Sequence, residues 1–149
     1  MSDPSSFRAF RIHQEEKIIK TSLEQIALED LTEGEVVVKN SFSSINYKDA
    51  LAATGAGKIL RKFPLVGGVD VAGTVVESAD PAFRAGDKVL AACSGLSETN
   101  DGGYAEFSRL SSSATIKIPK NITPRTAMAI GTAGFASALA IYKMDLNNQ

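Results

Sequence analysis

Apolar side chains in this chain alternate with polar ones more often than they recur at helical spacing. Phe7-Arg8-Ala9-Phe10-Arg11-Ile12 sets apolar and basic residues in turn and predicts a strand with one buried face. Lys17 to Leu28 adds further short strands. Glu35-Val36-Val37-Val38-Lys39 is β-branched and follows the turn-like Thr32-Glu33-Gly34, so the strand signal there is sharper. Val69 to Glu77, Lys88 to Ala92 and Tyr104 to Leu110 also read as strands, with turns at Pro64 to Gly68, Ala85-Gly86-Asp87 and Thr99 to Gly103. Asn46 can cap a short helix from Tyr47 to about Ala53, with Asp49 near the positive end of its dipole and Thr54-Gly55-Ala56-Gly57 ending it. After Ile116-Lys117-Ile118-Pro119 the period changes. Thr123 can cap, Pro124 suits the first helical position, and the longest helix is expected to run to about Met144. The pattern is mainly β with short helices (α+β), a barrel or sandwich followed by a long C-terminal helix that leads elsewhere.

At 149 residues there is room for one domain with a substantial core, and 44% hydrophobic with 22% charged residues is ordinary globular composition. Sixteen basic and seventeen acidic residues nearly cancel, which gives no reason to expect nucleic acid or an anionic membrane as partner. Cys93 is the only cysteine, so no intramolecular disulfide can form and a reducing, cytoplasmic setting is expected. Met1 to Ser6 lacks the basic stretch and apolar run of a secretory signal. Thr126 to Tyr142 carries no charged side chain, but it falls short of roughly 20 apolar residues and is rich in Ala, Gly, Thr and Ser, so a helix buried against protein is expected there.

The densest chemical signal is Ser43-Ser44-Ile45-Asn46-Tyr47-Lys48-Asp49, where a strand gives way to a helix. Tyr47 can stack on a flat ring or donate a hydrogen bond; Asn46 can bond a ribose, an amide or its own helix terminus. The plainer alternative, favoured by chemistry alone, is that Asn46 caps, Tyr47 packs, and Lys48 and Asp49 are solvated. Gly67-Gly68-Val69-Asp70-Val71-Ala72-Gly73 lacks the order of a dinucleotide-binding loop, because strand-forming residues follow the glycines; turns and close strand approach explain them better. One Cys and one His, His13, cannot make a tetrahedral Cys/His metal site, and Cys93 reads as a small buried hydrophobe. Lys58, Arg61 and Lys62 are either a solvated face or a cluster able to attract the phosphates of an acyl carrier such as coenzyme A. Gly131-Thr132-Ala133-Gly134 puts two glycines in the long helix at about 1 kcal/mol each relative to Ala, which close packing or a ligand would justify.

Ser44 to Asp49, Pro64 to Gly73, Gly86-Asp87-Lys88-Val89, Gly102 to Glu106 and Gly131 to Gly134, in this order and spacing, resemble the medium-chain dehydrogenase/reductase superfamily. With Asp80-Pro81-Ala82-Phe83 and Phe135, the resemblance narrows to its zinc-independent quinone oxidoreductase branch and the acrylyl-CoA reductase subfamily, from about Phe7 to Lys143. It implies a GroES-like, partly open β-barrel over residues 1–123, with 124–149 leading toward a Rossmann domain that lies outside this sequence. It also implies NADPH as the cofactor of full-length members, no zinc, hydride transfer to an activated C=C bond of an enoyl thioester or quinone, and a homodimer. By that likeness Tyr47 would be the catalytic residue lying against the nicotinamide, with Asn46 beside it and Thr132 approaching from the long helix. A non-catalytic barrel, acting as a binding or assembly module through the uncharged 126–142 face, is the competing expectation.

Overall fold

The computed structural model describes residues 4–147. Two antiparallel sheets curve around a shared interior to make a barrel that does not close. The first has the order β2 (Ile18–Ile26), β1 (Phe7–Glu15), β4 (Leu65–Val66). The second runs β7 (Phe107–Leu110), β3 (Val36–Phe42), β5 (Asp70–Ser78), β6 (Lys88–Ala92), β8 (Ile116–Lys117). Helix α1 (Tyr47–Thr54) follows β3, and α2 (Pro124–Leu146) ends the described chain. The mainly β reading and the partly open barrel hold. The Pro64 to Gly68 segment, expected as a turn, also contributes the two-residue strand β4, paired with Arg11 and Ile12 of β1.

The β-branched runs are strands whose alternate side chains turn inward: in β3 Val36 and Val38 are buried while Val37 is half-buried and Lys39 exposed. Val36, Val38, Val71, Val75, Val89 and Leu110 fill the interior of the large sheet. Phe7, Ala9, Ile26, Val66 and Phe107 join the two sheets, with the Phe7 and Phe107 rings 5.3 Å apart. Ile12, Leu60 and Leu65 receive Ala52 of α1, and Ala72 and Ile118 receive Ala127 and Met128 of α2. At Gly73 a Cβ would lie 2.1 Å from the Lys39 carbonyl, so the close approach expected of the glycines is met where β5 pairs with β3, next to an irregularity in their register.

Helix α2 differs from expectation in two ways. It is broken at Gly131, whose φ of 51° and ψ of −162° lie outside the helical region. Only its first turns are seated on the barrel: Ala127, Met128 and Gly131 are buried, while Phe135, Leu139, Ile141 and Tyr142 are exposed. Burial against protein therefore holds for the first turns alone, since no element of the described chain lies over residues after Gly134. By length and composition alone α2 could cross a membrane, yet it is kinked and held to β5 and β6 at its start.

Candidate active site

Strand β3 runs out into Ser43–Asn46, and β5 opens at Asp70 beside it. The Asp70 side chain is fully buried, at 0% exposure. A carboxylate so placed must find donors or be neutralised, and four reach it. Ser44 Oγ and Asn46 Nδ2 (3.0 Å) donate to Oδ2, as does the backbone N–H of Thr132 (2.9 Å); the Thr132 hydroxyl donates to Oδ1. Burial pushes the Asp70 carboxyl upward, but the Ser44 hydroxyl, the Thr132 hydroxyl and N–H, and the Asn46 amide outweigh it and leave it below the ordinary aspartate value. At neutral pH it is an anion whose lone pairs are committed.

The Gly131 break supplies two of those donors. Thr132 opens a fresh helical segment, and its N–H, an orphan at a helix start, is directed to Asp70 at the positive end of that segment. Any side chain at 131 would place a Cβ 2.9 Å from Asp70 Oδ2, so the glycine expected to need close packing has it. Cys93 Sγ lies 3.2 Å from Thr132 Oγ1. Because the single Thr132 hydroxyl proton goes to the ionised Asp70, the thiol is the donor in that contact. Cys93 is exposed and sits just past β6 at φ 55°, which corrects the expectation of a buried hydrophobe: a left-handed turn lifts it out of the strand.

A second buried acid fixes the start of α1. Asp49 accepts the N–H of Asn46 at 2.8 Å and that of Val69 at 3.0 Å, tying the helix start to the residue before Asp70. Tyr104 completes the stitch, its hydroxyl donating to the Ser44 carbonyl at 3.0 Å. Burial, together with the negative charges of Asp49 and Asp70, raises the Tyr104 phenol above its usual range.

The three residues singled out from sequence thus take different positions. Asn46 and Thr132 meet on one carboxylate; Tyr47, adjacent to Asn46, leaves its side chain free and is 80% exposed. The plainer alternative holds for Asn46, which caps α1 in a capping box with Asp49, although its amide nitrogen also serves Asp70 and Ser44. It is corrected at two points: Tyr47 does not pack, and Asp49 is buried. Lys48 pairs with Glu98 at 2.9 Å, and Arg61 pairs with the same carboxylate at 2.9 Å. Asp70, the hub, was missed as a site residue. Its signal was an acid opening an otherwise apolar buried strand, Val69-Asp70-Val71-Ala72.

An apolar hollow of about 380 Å³ adjoins the knot, between β6 and α2, with Leu90, Ile118, Met128, Ile130, Gly131 and Phe135 in its walls. Among the described residues no three His, Cys, Asp or Glu side chains gather as a metal set. The exposed Tyr47 ring offers a face for a flat heterocycle, and the polar knot behind it has its donors fixed in direction. Such an arrangement can orient a bound ring and donate one phenolic hydrogen bond.

Residues 32–120 match the family described as alcohol dehydrogenase GroES-like domain. The probable acrylyl-CoA reductase AcuI of Escherichia coli is 41% identical over 138 residues, covering 93% of this chain and 43% of the relative. The putative quinone oxidoreductase YhfP of Bacillus subtilis is 38% identical over 95% of the chain, and the yhfP crystal structure with NAD bound superposes with a TM-score of 0.92. The yhdH oxidoreductase of Salmonella enterica, solved in complex with NADP, is 40% identical with a TM-score of 0.89 over 93% of this chain and 43% of that one. The chain spans less than half the length of these relatives.

Proposed function

Because the chain belongs to the alcohol dehydrogenase GroES-like domain family, alongside proteins named quinone oxidoreductase and acrylyl-CoA reductase, we propose that it is the substrate-side part of an NADPH-dependent reductase of activated C=C bonds. The acceptor is an enoyl thioester of the acryloyl-CoA kind or a quinone. The observation that carries this reading is the convergence of Asn46 and Thr132 on the buried Asp70 carboxylate, beside a Tyr47 phenol left free.

The residues present fit a nicotinamide. Tyr47 supplies a ring face, Gly131 removes the side chain that would crowd the kink, and Asn46 and Thr132 are held in place from behind. NADPH, when bound, supplies the hydride. Tyr47 donates a hydrogen bond to the acceptor carbonyl, where negative charge grows as the β-carbon is reduced. Asp70 stays ionised and fixes Asn46 and Thr132, so neither has to reorganise as charge develops. Residues 1–123 form the substrate domain in this reading and 124–149 the passage to a nucleotide-binding domain. A small-molecule acceptor, a homodimer and a cytoplasmic setting go with it.

The exposed apolar side chains of α2, Phe135 (61%) and Tyr142 (60%) among them, favour a second reading as an assembly module that binds a separate chain. One experiment separates the two. The 149 residues are joined to the nucleotide-binding remainder of the E. coli relative, and NADPH oxidation is followed with acryloyl-CoA and with quinones. Turnover with either acceptor is expected; a folded, NADPH-binding fusion with no turnover supports assembly alone.

A further inference from the structure

A second cavity, of about 460 Å³, opens at the other end of α1 from Tyr47, a size typical of ligand pockets. Its floor is apolar, with Ile19, Ala52, Leu60 and Phe63, and Lys17 and Lys58 stand in its wall. Lys17 comes from the tip of the β1–β2 hairpin and Lys58 from the loop after α1, so two separate elements bring cations to one hollow. Neither forms an ion pair among the described residues. Their neighbours Lys48 and Arg61 are both taken up by Glu98, and Lys20 by Glu15. The basic cluster seen in the sequence is therefore divided: Arg61 is paired with Glu98, which it shares with Lys48, and Lys58 is joined by Lys17, which is 41 positions away in the chain (58 − 17).

We propose that this cavity holds the phosphorylated adenosine end of a coenzyme A thioester. The apolar floor suits a purine ring, and the two ammonium groups suit phosphates that would otherwise lose water without a partner. Distance favours the same ligand. Helix α1 has eight residues, about 12 Å at 1.5 Å per residue, a gap that an extended pantetheine arm bridges from the cavity to Tyr47. This inference rests on the reductase reading and narrows it, since a neutral quinone has nothing to offer Lys17 and Lys58.

The test is direct binding to the 149-residue chain without turnover. Free coenzyme A, dephospho-coenzyme A, inorganic pyrophosphate and NADPH are titrated by calorimetry into the wild-type chain, K17Q/K58Q and, as a control outside the cavity, K120Q. Coenzyme A is expected to bind the wild type more tightly than the other three. The double variant is expected to lose about tenfold or more in affinity, with K120Q unchanged and circular dichroism unaltered in both. Equal binding of pyrophosphate, tighter binding of NADPH, or coenzyme A binding indifferent to K17Q/K58Q overturns the assignment. If the fusion protein reduces acryloyl-CoA while the chain fails to bind coenzyme A here, the pocket is wrong and the reductase reading stands. If coenzyme A binds here and the fusion is inactive, the reverse holds.

Discussion

Thr132 grips Asp70 twice, its backbone N–H on one carboxylate oxygen at 2.9 Å and its hydroxyl on the other. The two residues are 62 positions apart, and their contact fastens the kinked helix to the strand that opens the large sheet. Asp70→Asn keeps the shape but turns one acceptor into a donor that faces other donors. The loss is about 2 kcal/mol, a fall in Tm of roughly 4–8 °C for a chain of this size, read by thermal denaturation.

The same carboxylate makes stability depend on pH. Its folded pKa lies below the ordinary aspartate value, so in acid the unfolded chain takes up the proton first. The stabilisation is complete above about pH 4 and is lost as pH falls through the lower folded value. Urea midpoints between pH 6 and pH 2.5 should therefore fall less steeply with acid in Asp70→Asn than in the wild type.

Gly131 and Gly86 separate backbone strain from crowding. Both have positive φ, 51° and 94°, but a Cβ at Gly86 meets nothing within 4 Å, whereas one at Gly131 meets Asp70. Gly86→Ala should cost about 1 kcal/mol of backbone strain alone. Gly131→Ala should cost more by about 1–2 kcal/mol, because its φ of 51° with ψ of −162° disfavours any Cβ and the Asp70 knot must also shift. Equal losses in chemical denaturation would show that the Asp70 contact carries no weight.

Much of the barrel was legible in the sequence because β-branched runs and glycine turns are local signals. Val36-Val37-Val38 and Lys88 to Ala92 needed no tertiary information to read as strands. The break in α2 was not legible as a break, since glycine signals a weak point without fixing its dihedral angles. Cys93 reads as buried strand because the apolar run Val89 to Ala92 carries into it, although Ser94-Gly95 directly after it mark the left-handed turn that exposes it. Asp70 escaped because its role exists only when residues 44, 46, 70 and 132 are brought together by sheet register and by the kink. Asn46 and Thr132 could be picked out by resemblance; the carboxylate that binds them could not be picked out by periodicity.

The exposed half of α2 gives a prediction about surface. Phe135→Glu with Leu139→Glu changes side chains that are 61% and 42% exposed, so the unfolding free energy should stay within about 0.5 kcal/mol of the wild type. Binding of a hydrophobic fluorescent dye should fall sharply. A large loss of stability would mean that this segment packs against the barrel in solution.

The most direct test of Tyr47 at the reacting end is the single-turnover rate of hydride transfer to acryloyl-CoA by the fusion protein, wild type against Tyr47→Phe. An exposed phenol that hydrogen-bonds the developing enolate predicts a rate lowered by about 10- to 1000-fold, with NADPH affinity and unfolding midpoint nearly unchanged. An unchanged rate in the folded, NADPH-loaded variant would contradict it.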